Sequence, residues 1–190
     1  MNKWVIGARV KTLPAAVSPV LIGTFYASEV NWINALLALI VSLSLQIAVN
    51  YANDYSDGIR GTDTDRVGPI RLVASGLASA KSVKRASYIS FLFAVVAGSL
   101  LSLNISLWLI PVGGISILAA WGYTGGKQPY GYLGFGEFSV FIFFGLVATV
   151  GSYYVQSEQL NWQILLLSVP VGLLSCAILV INNLRDLPKD

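Results

Sequence analysis

Asn50, Asn53, Asp54 and Asp57 stand at i, i+3, i+4 and i+7, a spacing that gathers amide and carboxylate side chains on one face of a helix. Carboxylates this close on a helix repel one another, so such a face calls for a compensating cation. Hard oxygen donors suit Mg2+ or Ca2+, and Mg2+ is commonly held by a few carboxylates together with the phosphates of a substrate. Asp63 and Asp65 follow shortly after. A second group, Asn182, Asn183, Asp186 and Asp190, repeats the i, i+4 relation of Asn53 to Asp57 in Asn182 to Asp186, a hint of an internal repeat. The fixed glycine and distal glutamate of an EF-hand loop are missing. The same acids also suit solvated loops and helix caps, and Gly58 and Gly61 read as turn positions.

Positive charge lies near the first group. Arg60, Arg66 and Arg71 share its loop, and Lys127 sits in a later connection. Arg66 and Arg71 flank Val67-Gly68-Pro69-Ile70, a turn-like stretch that can bring both to one anion. Carboxylates, bridging Mg2+ and cationic side chains together make a diphosphate clamp. The chain has no His and one Cys, Cys176, which excludes a Cys/His zinc site, an internal disulfide and a histidine base.

The elements that must position these residues are apolar helices. Of the 190 residues, 55% are hydrophobic and 11% charged, where soluble domains carry about a quarter charged. Six uncharged runs, 13–28, 32–49, 86–103, 107–123, 138–155 and 164–181, each approach the roughly 20 residues that cross a hydrocarbon core. Backbone groups in lipid must be satisfied within the segment, and the alternation of a membrane barrel is absent. The expectation is an all-α membrane protein of six transmembrane helices, a single domain over 1–190. Segment 50–86 carries the first acidic group with its loop, and 182–190 the second. Pro14, Pro19, Pro111 and Pro170 fall in or beside spans, as kinks.

With the N-terminus in the cytoplasm, all 12 Lys and Arg fall on that side, and the opposite connections around Glu29, Asn104 and Glu158 hold none. This is the asymmetry of the positive-inside rule, and Lys81, Lys84 and Arg85 are assigned to it alone. Both acidic groups then face the cytoplasm from a multi-pass protein of the plasma (inner) membrane. The basic residues are too scattered for a nucleic-acid surface. No signal-peptide pattern precedes the first span, which is expected to stay. A diphosphate clamp at the mouth of an apolar bundle points to a substrate with a diphosphate head and a hydrocarbon tail.

Asn50-Tyr-Ala-Asn-Asp-Tyr-Ser-Asp57 with Asp63, and Asn182-Asn-Leu-Arg-Asp186 with Asp190, resemble the two aspartate-rich motifs of the UbiA-type intramembrane aromatic prenyltransferases. Lys11-Thr-Leu-Pro14, Asp65-Arg-Val-Gly-Pro-Ile-Arg71, Tyr123-Thr-Gly-Gly-Lys127 and Pro129-Tyr-Gly-Tyr-Leu-Gly-Phe-Gly-Glu137 are similar to the menaquinone branch, the 1,4-dihydroxy-2-naphthoate polyprenyltransferases. The resemblance implies a ring of helices around a central cavity and Mg2+ ions bridging the motifs to a polyprenyl diphosphate. Departure of diphosphate leaves an allylic cation that the naphthoate ring attacks, and the ring carboxylate leaves as CO2. It further implies a metal set drawn from Asn53, Asp54, Asp57, Asp63, Asp186 and Asp190. Asn53, Asp57 and Asp63 would hold one ion and Asp186 with Asp190 the other. Asn50, Asp54, Asn182 and Asn183 would support them, and Arg66, Arg71 and Lys127 would neutralise diphosphate oxygens. Tyr123 would orient the head, although an interfacial tyrosine fits equally. Glu137 would handle the aromatic acceptor, or serve only its helix N-terminus.

Two departures stand beside the resemblance. Pro188 biases Leu187 away from helix, so Asp190 need not share a face with Asp186. That family carries nine spanning helices, so six would make this chain the N-terminal two-thirds of the ring. The other readings of the residues are a prenyltransferase for another acceptor such as 4-hydroxybenzoate, an inactive truncated product, and a small cation-binding transporter. The last would place acids or amides deep in the spans, whose interiors here are almost wholly apolar.

Overall fold

A computed structural model describes residues 2–61, 68–125 and 129–186. Every regular element among them is helical. Helix α1 (Lys3–Ala8) is capped by Asn2, whose side chain accepts from the Trp4 amide, and ends at Arg9 in the left-handed region, φ 52. A 3-10 turn, Val10–Thr12, leads into α2 (Pro14–Tyr26). Pro14 takes its first position, where the missing N–H has no helical partner to lose. The two stretches meet at 53°, so the first apolar run belongs to a bent pair.

Helix α3 (Trp32–Arg60) starts at Asn31, whose side chain accepts from the Ile33 and Asn34 amides. Its 29 residues reach about 43 Å and outrun a hydrocarbon core of about 30 Å. The surplus is the polar stretch that carries Asn50 to Arg60. Gly61, φ 74, closes the helix as its C-cap, as a turn glycine should. Gly58 lies inside the helix, and its expected place in a turn is corrected here. A Cβ there would stand 2.5 Å from Cβ of Val73, so glycine is what lets the following loop press against α3.

Helix α4 (Ala80–Asn104) packs along α3, and α5 (Leu109–Thr124) follows. After a 3-10 turn, Tyr130–Leu133, come α6 (Gly136–Val140), a π-helical stretch Phe141–Val147 and α7 (Ala148–Ser157). These last three run on as one rod, Gly136–Ser157. Helix α8 (Trp162–Asp186) lies against it. At their contact a Cβ on Gly145 would come within 2.6 Å of Gly172 Cα, the backbone approach that small residues permit between membrane helices.

Helices α3, α4, the Gly136–Ser157 rod and α8 are each long and apolar enough to cross a membrane, and the α1–α2 pair makes a bent fifth candidate. The run 107–123 falls on α5, whose 16 residues reach about 24 Å and stop short of the core thickness. Leu92 and Phe93 on α4, Leu118 on α5 and Leu173 and Leu174 on α8 all point outward and exposed. Apolar surface on this scale belongs in lipid, which makes this a multi-pass membrane protein.

Two apolar clusters hold the ends. Val20, Ala38, Leu101 and Val155 close one end, where Asn34 Nδ2 donates to the Val155 carbonyl at 2.8 Å and the Asn31 amide to Gln156 Oε1 at 2.7 Å. Tyr51, Leu72, Ala78 and Val83, with Trp4 and Ile6 of α1, consolidate the other. That second end gathers the polar extension of α3.

Candidate functional site

Among the described residues the helices line an open-mouthed cavity of about 320 Å³. Its inner wall includes Val20, Ala38, Leu101 and Val155, the same residues that close the far end. Its mouth is polar, with Arg9, Gln46, Asn50, Asn53, Tyr123 and Asn182 on the rim. Asn50 and Asn53 of the first group and Asn182 of the second therefore line the same cavity.

Each polar residue of α3 is directed to a particular partner. Asn50 is buried, and its Nδ2 donates to the Ala8 carbonyl at 2.9 Å and to Thr12 Oγ1 at 3.1 Å. Gln46 Nε2 also donates to Thr12 Oγ1, at 3.1 Å. These bonds tie the bend between α1 and α2 to α3 and hold Arg9 at the rim. Asn53 Oδ1 is buried with no hydrogen-bond partner among the described residues, an arrangement native structures avoid unless a ligand or ion completes it. Asp57, one turn on, receives Arg71 Nη2 at 3.1 Å across a pair that is almost buried on both sides.

Asp57 also accepts from the Tyr132 hydroxyl. Burial first, and this bond second, hold the Tyr132 hydroxyl well above the ordinary tyrosine range, so it remains a donor at neutral pH. Arg60 lies over the Tyr132 ring at 5.2 Å and reaches the Thr124 carbonyl at 3.4 Å. Tyr132 was not singled out from the sequence, although it lies within the quoted stretch from Pro129 to Glu137. Its partner is 75 residues away, a pairing that local spacing cannot reveal.

Asp54 has a separate placement. It is fully buried and absent from the cavity wall, and its two oxygens accept from the backbone amides of Leu72 at 2.8 Å and Val73 at 3.0 Å. The metal-binding role given to it by resemblance meets a carboxylate already engaged by the loop.

Around the rest of the opening, Tyr123 lies on the cavity wall with its ring edge-to-face on Tyr130, centroids 5.6 Å apart. Tyr130 in turn donates to the Ala119 carbonyl at 2.7 Å. Glu137 occupies the first turn of α6. Its carbonyl accepts from Cys176 Sγ at 3.1 Å and its carboxylate from Asn183 Nδ2 at 3.5 Å. On α8, Arg185 Nη1 donates to Asn182 Oδ1 at 3.1 Å, and Asp186 is the final residue of the helix. Asp63, Arg66, Lys127 and Asp190 lie outside the described residues. Among the described ones, no three acidic or cysteine side chains converge as a metal cage. Lys84, assigned to membrane orientation alone, has its ammonium over the rings of Tyr55 at 5.1 Å and Tyr88 at 5.7 Å.

Residues 16–190 match the profile of the UbiA prenyltransferase family. The chain is similar to three curated proteins called 1,4-dihydroxy-2-naphthoate octaprenyltransferase. Identity to the one from Mycobacterium tuberculosis is 54% over 191 residues, covering 99% of this chain and 65% of that protein. The one from Escherichia coli is 39% identical over 98% of this chain and 64% of its own length. The one from Bacillus subtilis is 33% identical over 96% and 60%. The chain thus spans a little under two-thirds of the length of these relatives.

Proposed function

The chain belongs to the UbiA prenyltransferase family, and on that premise we propose that it carries the donor site of a membrane polyprenyltransferase. The reaction moves a polyprenyl group from its diphosphate to 1,4-dihydroxy-2-naphthoate, with loss of diphosphate and CO2, giving demethylmenaquinone. One observation carries the reading: a single cavity joins an amide- and cation-lined mouth, bearing Asn53 from one motif and Asn182 from the other, to an apolar interior. A charged head and a hydrocarbon tail need those two environments in that order. The names of the relatives support the acceptor.

The donor set fits a hard divalent cation. Asn53 Oδ1 is a buried oxygen without a partner among the described residues, and the Asp57 carboxylate follows one turn later along the helix, chemistry that suits Mg2+. Asn53, Asp57 and Asp63 are the proposed ligands of one ion, and Asp186 and Asp190 of the other, with Asn50, Asn182 and Asn183 in support. Asp54, with both oxygens on the loop amides, stands outside that set. When bound, Mg2+ supplies Lewis-acid stabilisation of the departing diphosphate. Arg66, Arg71 and Lys127 bind its oxygens, and Tyr123 orients the head.

The apolar interior excludes water from the allylic cation, which would otherwise be quenched. Glu137 stands by the acceptor. Six crossings, part of a nine-helix ring, place the N-terminus and both motifs at the cytoplasmic face of the plasma membrane. Helix α5 then crosses where polar neighbours or a locally thinned bilayer make up its missing length.

The test is an assay in membranes containing the protein, with a polyprenyl diphosphate, dihydroxynaphthoate and Mg2+. Joint release of diphosphate and CO2, abolished by EDTA, is the expected result. Turnover of 4-hydroxybenzoate equal to that of dihydroxynaphthoate would overturn the acceptor assignment.

A further inference from the structure

We infer that Asp54 is a positioning residue: its buried carboxylate grips the Leu72 and Val73 amides and thereby sets the Arg71 guanidinium against Asp57, one turn beyond the cavity-lining Asn53. Three residues of α3 dock one strip of loop. Asp54 is fully buried and receives the two successive N–H groups at 2.8 and 3.0 Å. Asp57 receives Arg71 Nη2 at 3.1 Å. Gly58 provides the space for Val73, whose Cβ lies 2.5 Å from where a side chain would begin. A carboxylate accepting two adjacent amides caps the turn that follows, where the Ser75 amide bonds to the Arg71 carbonyl at 3.0 Å and the Gly76 amide to that of Val73 at 3.0 Å. Leu72, fully buried beside Tyr51 and Val83, packs the other side of the strip.

The first motif is therefore divided. Asn53 lines the cavity and Asp57 receives Arg71 and Tyr132, while Asp54 faces the loop and acts through Arg71. What Arg71 binds rests on the diphosphate reading given above; that Asp54 holds the strip rests on the hydrogen bonds alone.

The experiment compares the parent protein in detergent with Asp54→Asn, Gly58→Ala and Asp57→Asn. An amide at position 54 keeps one acceptor and turns an N–H toward the other donor, so one anchoring bond is lost. Three probes are read: Mn2+ affinity by its EPR signal, inorganic diphosphate affinity by calorimetry in Mg2+, and hydrogen exchange at the Leu72 and Val73 amides. Asp54→Asn and Gly58→Ala should each weaken diphosphate binding by about tenfold or more, the usual scale for removing a supporting partner. Their Mn2+ affinity should fall far less than that of Asp57→Asn, which loses Mn2+. Exchange at both amides should be slow in the parent and fast in Asp54→Asn.

Loss of Mn2+ in Asp54→Asn comparable to that in Asp57→Asn would overturn the inference and make Asp54 a ligand. Unchanged diphosphate binding in Asp54→Asn would overturn it as well. If the parent binds neither probe, the diphosphate reading fails on its own, and the exchange data still decide the anchoring. Fast exchange at Leu72 and Val73 in the parent, which needs no variant to fold, would then refute it.

Discussion

The two acidic helix ends meet at one cavity but are built differently. At the end of α3, Asn50, Asp54 and Asp57 are all buried and reach Ala8, Leu72, Val73, Arg71 and Tyr132, partners drawn from three other parts of the chain. At the end of α8, Asn183 and Arg185 are exposed, and the bonds seen among the described residues include an i, i+3 contact to Asn182 and a 3.5 Å contact to Glu137. The first end is set by tertiary packing before any ligand arrives. The second, among the described residues, is more exposed and is tied to Glu137 of α6. Preorganised groups give the largest share of electrostatic stabilisation in an active site, so the account places most of the catalytic cost of mutation at α3.

Asp57→Ala should have the largest effect. It removes a proposed ligand and takes the counter-charge from nearly buried Arg71. Diphosphate release should fall by at least about a hundredfold, and the melting midpoint should drop as expected for breaking a buried pair, about 3 kcal/mol. Retained turnover would erase the contrast between the two ends.

Next comes Gly58→Ala, where alanine would raise helix propensity by about 1 kcal/mol but overpacking against Val73 costs about 1–3 kcal/mol. Chemical denaturation should show net destabilisation, and a more stable variant would show that the loop yields. At the other end, Glu137→Gln keeps an acceptor for Asn183 at 3.5 Å. Turnover should fall by less than about tenfold, and a loss matching that of Asp57→Ala would show the second end to be equally committed. Lys84→Ala should do least, since among the described residues its ammonium lies over the Tyr55 and Tyr88 rings, away from the cavity; turnover within about twofold of the parent is expected.

Periodicity alone placed the spans at 32–49, 86–103, 138–155 and 164–181, because an apolar run of membrane length has few alternatives. The kink expected at Pro14 is there, as a 53° bend, but spacing could not show the bonds from Asn50 and Gln46 to Ala8 and Thr12 that tie this bend to α3. Nor could it see that Gly58 belongs to a helix, since the reason is Val73, across the loop. In the site, the i, i+3, i+4, i+7 pattern predicts one shared face, and the four polar groups do lie on one helix, α3, though with different partners. Those positions sweep across enough of the surface to serve two neighbours, and spacing alone does not say that Asp54 serves the loop while Asn53 serves the cavity. Tyr132 escaped notice for a related reason: an aromatic in a glycine-rich connection has no periodicity to mark it.

The central claim is that the two motifs and their shared cavity perform Mg2+-dependent prenyl transfer. The most direct measurement is diphosphate release from a polyprenyl diphosphate by membranes containing the protein, with dihydroxynaphthoate present, titrated with Mg2+. The account predicts release that requires both Mg2+ and the acceptor and is lost in Asp57→Ala. Release that is indifferent to Mg2+, or that persists undiminished in Asp57→Ala, would contradict it.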